Sequence, residues 1–223
     1  MATERLPVSR ASESVLATNK LIRNTYMLLS LTLLFSAVTA AVSTALPVGH
    51  GVSLICTIAA IGLFWFVLPR FANSGAGIGI VFAGTGLLGF GLGPMLRAYL
   101  ALANGPEIVG TALGGTGIIF LALSGYALTT RKDFSFMGGF LVVGFIVVLV
   151  AAVANIFLQI PALSLALSAA IIMIMSGFIL YDTGRIVNGG ETNYVMATVG
   201  LYIAIFNIFT SLLHLLGAFG GED

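Results

Sequence analysis

Long uncharged stretches alternate with short charged ones along this chain. No Asp, Glu, Lys or Arg occurs from Asn24 to Pro69, from Phe71 to Leu96, from Ile108 to Thr130, from Phe134 to Tyr181, or from Thr192 to Gly221. A helix needs roughly 20 apolar residues to cross a bilayer. The first and fourth stretches are each long enough for two helices and a turn, and the other three fit one each, so the pattern predicts seven spans. Breakers divide the double stretches: Pro47, Gly49, His50 and Gly51 in the first, and Asn155, Gln159 and Pro161 in the fourth. The predicted spans are Tyr26–Leu46, Val52–Leu68, Gly75–Met95, Ile108–Thr129, Phe136–Phe157, Ala162–Thr183 and Tyr194–Leu216. Backbone polar groups must be satisfied internally in lipid, so helices are expected despite many Val, Ile and Gly residues. The apolar runs are continuous rather than alternating, which excludes a β-barrel. The fold class is therefore an all-α polytopic membrane bundle.

The charges between spans orient it. With the N-terminus on the cytoplasmic side, Arg5, Arg10, Lys20, Arg23, Arg70, Arg131, Lys132 and Arg185 fall inside, and only Arg97 falls outside. Basic residues favour the cytoplasmic face, so the expected arrangement is an inside N-terminus and an outside C-terminus. Residues 1–23 read as a cytoplasmic tail that anchors topology or serves as a handle for a partner, with Ser12, Glu13, Val15 and Leu16 beginning an amphipathic lead-in. Residues 24–218 form the transmembrane domain and 219–223 a short external tail. Tyr26, Trp65, Tyr99, Tyr126, Tyr181 and Tyr194 fall near predicted helix ends, as an interfacial aromatic belt requires.

Composition agrees. Hydrophobic types make up 59% of the 223 residues and charged types 8%, against about 25% charged in an ordinary soluble domain. A net charge of +1 gives no reason to expect a nucleic-acid partner. Cys56 is the only cysteine, which excludes an intrachain disulfide or thiolate metal cluster; it reads as a packing residue. Gly75/Gly79, Gly89/Gly93 and Gly110/Gly114 have the four-residue spacing that lets helices approach closely, as have Ser36/Ala40 and Ala37/Ala41.

Chemistry-bearing residues are few. Asp182 lies toward the inner end of the sixth span, where an ionisable group normally needs a partner or water. Arg185 shares its helix face, and Arg131, Lys132 and Asp133 form a charged turn on the same side. These residues read either as a structural ion-pair cluster or as a titratable gate. Asn207, deep in the last span, is expected to face the interior and bond another helix. Asn155 and Gln159 read as caps of an outer turn, Glu107 as a partner of a helix N-terminus, and His50 and His214 as separate polar contacts rather than a shared zinc site. No HExxH, GxSxG, Walker loop or paired-Cys motif occurs. No enzyme, metal or cofactor is expected.

Several markers then share an order: Arg23–Asn24–Thr25–Tyr26, Gly91–Leu92–Gly93–Pro94, Ser124–Gly125–Tyr126–Ala127, Thr130–Arg131–Lys132–Asp133–Phe134, Tyr181–Asp182–Thr183, Leu201–Tyr202, Asn207–Ile208–Phe209 and Leu212–Leu213. In this order, from Leu21 to Leu216, the chain resembles the Bax inhibitor-1 family, particularly its bacterial YccA-like branch. The resemblance implies a compact seven-helix bundle in a bacterial inner membrane with a periplasmic C-terminus. It implies a non-enzymatic regulator that binds or competes for FtsH, the membrane-bound AAA protease. Some relatives are described as pH-sensitive calcium leaks with two interacting carboxylates. The first maps to Asp182 and the second to Ala204, where this chain has none, so the like-charge pair is not carried over. A calcium or cation leak with Asp182 at its gate, with calcium or protons as partners, remains the alternative reading, and a small-solute transporter the third.

Overall fold

Uncharged stretches without backbone partners in lipid fold as helices, and seven helices long and apolar enough to cross a membrane are found among the described residues. The computed structural model describes residues 7–220, with side chains from Leu16 onward. The helices are α1 (Pro7–Ala45), α2 (His50–Phe71), α3 (Gly75–Leu100), α4 (Gly105–Thr130), α5 (Ser135–Leu158), α6 (Pro161–Val187) and α7 (Tyr194–Gly220). The turns fall where the breakers stand. Gln159 closes α5 at φ 52°, and the Asn155 side chain accepts the Ile160 N–H at 3.1 Å.

Three helices differ from expectation. α1 begins at Pro7 and runs unbroken to Ala45, so the segment expected as a tail is mostly the first part of this helix. No Gly or Pro interrupts residues 8–45, and Pro at a first helical position is favourable. Residues 1–6, and the side chains of Ser12 and Glu13, lie outside the described residues. α2 continues past Pro69 because its turn over Leu63–Val67 widens to a π-helix, one way a helix accommodates a disturbed hydrogen-bond ladder. α3 is offset at Leu92 and resumes at Gly93, with Pro94 in the first turn of its second part.

α7 is the central element, packing on α1, α3, α4 and α6, whereas α5 contacts chiefly α6. Tyr202 anchors the centre and is 1% exposed. Its hydroxyl lies 2.6 Å from Ser36 Oγ on α1 and donates to the Thr85 carbonyl on α3 at 3.2 Å. One side chain thus ties three helices together.

The glycines divide by face. A side chain on Gly89 would strike the Ser36 carbonyl and the Thr39 hydroxyl, and one on Gly93 would strike Ser43. These two are where α3 seats against α1. Nothing lies within 4 Å of the Cβ position of Gly75, Gly79, Gly110 or Gly114, which corrects the expectation that those pairs mediate close packing. Identical spacing occurs on buried and on open faces, and only the neighbours distinguish them.

Arg97, the one basic residue on the far side, lies against the C-terminus of α1. Its guanidinium donates to the carbonyls of Ser43 (3.0 Å), Thr44 (3.2 Å), Val48 (3.5 Å) and Leu46. The last carbonyls of a helix have no intrahelical partner, and a planar guanidinium carries five N–H donors to meet them.

Candidate functional site: the seam between the last two helices

α6 and α7 pack antiparallel, joined by the loop Asn188–Asn193 on the side from which α1 starts, called inner here. Asp182 stands one turn before the end of α6. Its carboxylate lies against α7 at Gly200, with Oδ2 2.8 Å from the position a Cβ there would take. Fourteen residues toward the other face, Ser168 on α6 bonds His214 Nδ1 on α7 at 2.8 Å. Fourteen residues also separate Gly200 from His214, so one register places both contacts. Ser168 additionally donates to the Ser164 carbonyl at 3.0 Å, which leaves its oxygen to accept from the His214 Nδ1–H. The stretch between these contacts is packed: Ala204 is 1% exposed and sits among Met175, Ile179 and Ile208.

Asp182 has no hydrogen-bond partner and no ion pair among the described residues. Arg185 does not pair with it. Its guanidinium donates to the Gly190 carbonyl at 3.0 Å, reaches Glu191 Oε2 at 3.4 Å and lies 5.6 Å from the Tyr181 ring centroid. The ion-pair reading of Asp182 with Arg185 is thus not found: the same cation meets Glu191, six residues further on in the loop. Arg185 and Glu191 remain the two charged groups close enough to act on Asp182 electrostatically. Thr183 beside it is fully buried, and its hydroxyl has no partner.

The charged turn lies at the same end but faces elsewhere. Arg131 caps α4 in the left-handed region at φ 51°. The Lys132 ammonium is 3.5 Å from the Tyr126 hydroxyl, and its carbonyl accepts from Asn188 at 3.2 Å. Asp133 accepts the Ser135 N–H at 2.8 Å. The Ser135 hydroxyl, and then its N–H, hold the Asp133 carboxyl below the usual carboxylate range. Phe134 packs on α6 at Gly184. None of Arg131, Lys132 and Asp133 bonds Asp182 among the described residues, so the ion-pair reading finds no counterpart in this turn.

Asn207 is half-buried on α7, and its amide donates to the Ile203 carbonyl of its own helix at 2.8 Å. The expected bond to another helix is therefore corrected. A short polar side chain within a helix can reach back to the carbonyl four residues earlier.

Two residues that organise the inner end were not singled out in the sequence. Glu191 Oε1 accepts the N–H groups of Thr192 and Asn193, both at 2.9 Å. Asn193 Oδ1 caps α7 through the N–H groups of Val195 (2.9 Å) and Met196 (3.1 Å), while its amide donates to Ala72 (3.1 Å) and Asn73 (2.8 Å). An Asn just ahead of an apolar run is an N-cap signal, so the cap was legible. Its second set of bonds, to the α2–α3 turn, was not.

Residues 18–221 match the family profile described as inhibitor of apoptosis-promoting Bax1. The chain belongs to the Bax inhibitor-1 family. Among similar members of this family, the Escherichia coli K12 protein named modulator of FtsH protease YccA is 52% identical over 94% of both chains. A Vibrio cholerae protein described as an uncharacterized membrane protein is 47% identical over the full length of both. An uncharacterized Pseudomonas aeruginosa protein is 45% identical over 91% of this chain and 90% of its own. The E. coli O6:H1 relative is named an inner membrane protein. The seven-helix architecture expected of the Bax inhibitor-1 family is the one found.

Proposed function

We propose that this protein is a non-enzymatic regulator in a bacterial inner membrane that binds and modulates the FtsH protease. The supporting observation is the relative of that name, 52% identical over 94% of both chains. Similarity over nearly the entire bundle favours a shared partner over a shared scaffold alone. The N-terminal part of α1, which extends beyond the length needed to cross the bilayer, is the proposed handle, and the basic residues on its side favour a cytoplasmic N-terminus. Quantitative co-purification from membranes should recover FtsH, and turnover of an FtsH membrane substrate should change with the level of this protein. Absence of both association and altered turnover would end this reading.

One observation favours a second reading. Asp182 has no bonded partner among the described residues, in a position where an ionisable group is a functional candidate by default. A cation leak gated at Asp182 would use it. Ala204 supplies no second carboxylate for the like-charge coupling that raises one pKa of a pair, which weighs against calcium. Purified protein in liposomes, compared with an Asp182→Asn variant across pH, separates the readings. Flux equal to that of empty liposomes at every pH would remove the leak.

A further inference from the structure

The seam between α1 and α4 is closed in its inner half and open in its outer half. On the inner side the Tyr26 hydroxyl bonds the Ser124 hydroxyl, and the Tyr26 and Phe120 rings lie 6.1 Å apart. Beyond Phe120 the two helices diverge around a cavity of about 590 Å³, floored by α3 and α7. Ala37 and Ala41 on α1 and Leu113 and Gly117 on α4 form its walls. Its size falls within the roughly 300–1,000 Å³ of ordinary ligand sites.

The chemistry of the lining selects the occupant. Four lining residues carry side-chain hydroxyls, and all are already engaged within the protein. Thr44 donates to Ala40 at 2.8 Å and Thr116 to Ala112 at 2.7 Å. Ser36 and Tyr202 bond each other, and Tyr202 donates onward to Thr85. No charged side chain lines the space. An internal water needs two to four polar partners; here the hydroxyl protons are all committed and the rest of the lining is apolar, which disfavours water or a hydrated ion. An empty cavity would instead forfeit dispersion contacts along its whole lining. Hydrocarbon meets both conditions.

Its dimensions agree. The α1 wall runs from Leu33 to Thr44, a rise of about 16 Å at 1.5 Å per residue. That is about half of a ~30 Å hydrocarbon core, the depth of one leaflet. We propose that this groove is an acyl-chain site, filled by one chain of a phospholipid from the outer leaflet, which reaches in to the Ser36–Tyr202 pair and wedges α1 from α4. This site is distinct from the Asp182 end of the molecule and does not depend on which partner the protein regulates.

The site can be tested in vesicles containing a phospholipid with a photoactivatable diazirine in its acyl chain. The measurement is the adduct yield on the α1 and α4 walls relative to the lipid-facing side chains of Phe140 and Val147, which are 76% and 61% exposed. The wild-type protein should label the walls more strongly than those controls, although Leu113, at 58%, is no more exposed than they are. Filling the groove from either side, with Ala37→Phe or with Gly117→Leu, should cut wall labelling several-fold and leave the controls unchanged. Gly117 has open space in front of its Cβ position, so its variant keeps the test valid if the larger one fails to fold. Wall labelling at background in the folded wild type would overturn the proposal. So would reaction of a Leu113→Cys variant, in a Cys56→Ser background, with a membrane-impermeant aqueous thiol reagent, because the groove would then hold water. Cross-links from the walls to another polypeptide in place of lipid would overturn it in favour of a partner helix.

Discussion

The Asp182 carboxylate occupies the space that a side chain on Gly200 would need, with Oδ2 2.8 Å from that Cβ position. The last helix accommodates the acid by having no side chain there, not by offering it a partner. Gly200→Ala should therefore cost about 1–3 kcal/mol by overpacking, offset in part by the better helix propensity of Ala. In an Asp182→Ala background the same substitution should cost much less. Thermal unfolding of the four purified proteins gives the coupling, and an equal cost in both backgrounds would show that the contact carries no energy.

The exposed basic turn makes the opposite prediction. Arg131 does not bond Asp182, so Arg131→Gln and Asp182→Asn should be additive within about 0.5 kcal/mol. The Arg185→Gln and Glu191→Gln pair, which shares a 3.4 Å contact, should not. An excess for the Arg131 pair over the Arg185–Glu191 pair in a double-mutant cycle would reverse this account of the inner end.

Glycine faces should separate cleanly in a two-residue comparison. Gly89→Ala forces a methyl group onto the Ser36 carbonyl, which is backbone and cannot rotate away, so the α1–α3 contact should open and the folded yield should fall. Gly110→Ala meets nothing within 4 Å and should be neutral, or stabilising by up to ~1 kcal/mol through helix propensity. Expression level and melting temperature together report both outcomes.

At the centre, Tyr202→Phe should destabilise more than Ser36→Ala. Removing the phenol hydroxyl leaves Ser36 and the Thr85 carbonyl without it at once, whereas removing the serine leaves the Tyr202–Thr85 bond in place. A buried hydrogen bond contributes about 1 kcal/mol and an orphaned polar group costs about 1–3 kcal/mol. Unfolding midpoints that place the two variants in the reverse order would show that the Thr85 bond contributes little.

Arg97 separates charge from geometry. Arg97→Lys keeps the basic charge at that end of α3 and so leaves the topology signal as it was. A single ammonium, however, cannot replace the bonds now made to four carbonyls. A loss of stability approaching that of Arg97→Ala is expected on melting, while a reporter at the C-terminus should read the same side in all three proteins.

The seven spans and their turns were legible along the chain, because each follows from local quantities: run length, charge placement and turn residues. The inner-end network was only half legible. Asp182 and Arg185 stood out as charges beside lipid, but Arg185 took Glu191, a residue the sequence did not single out. Asn207 looked like an interhelical bond and proved to be a bond within its own helix. Both cases turn on which acceptor is nearest in space, and spacing along the chain does not contain that distance.

Sequence by itself determined that the chain crosses a membrane seven times as helices, since hydrophobic length and the cost of unpaired backbone in lipid leave no other fold. It also determined that Asp182 would have no second carboxylate at position 204. Tertiary structure alone decided which glycines are contacts and which are open, that Arg97 caps α1, that Asp182 rests on Gly200, and that α1 and α4 part around an apolar groove. The physical reason is the same throughout. Insertion depends on each segment's own transfer from water to lipid, whereas contacts inside the bundle depend on helix rotation and register, which neighbouring side chains set together.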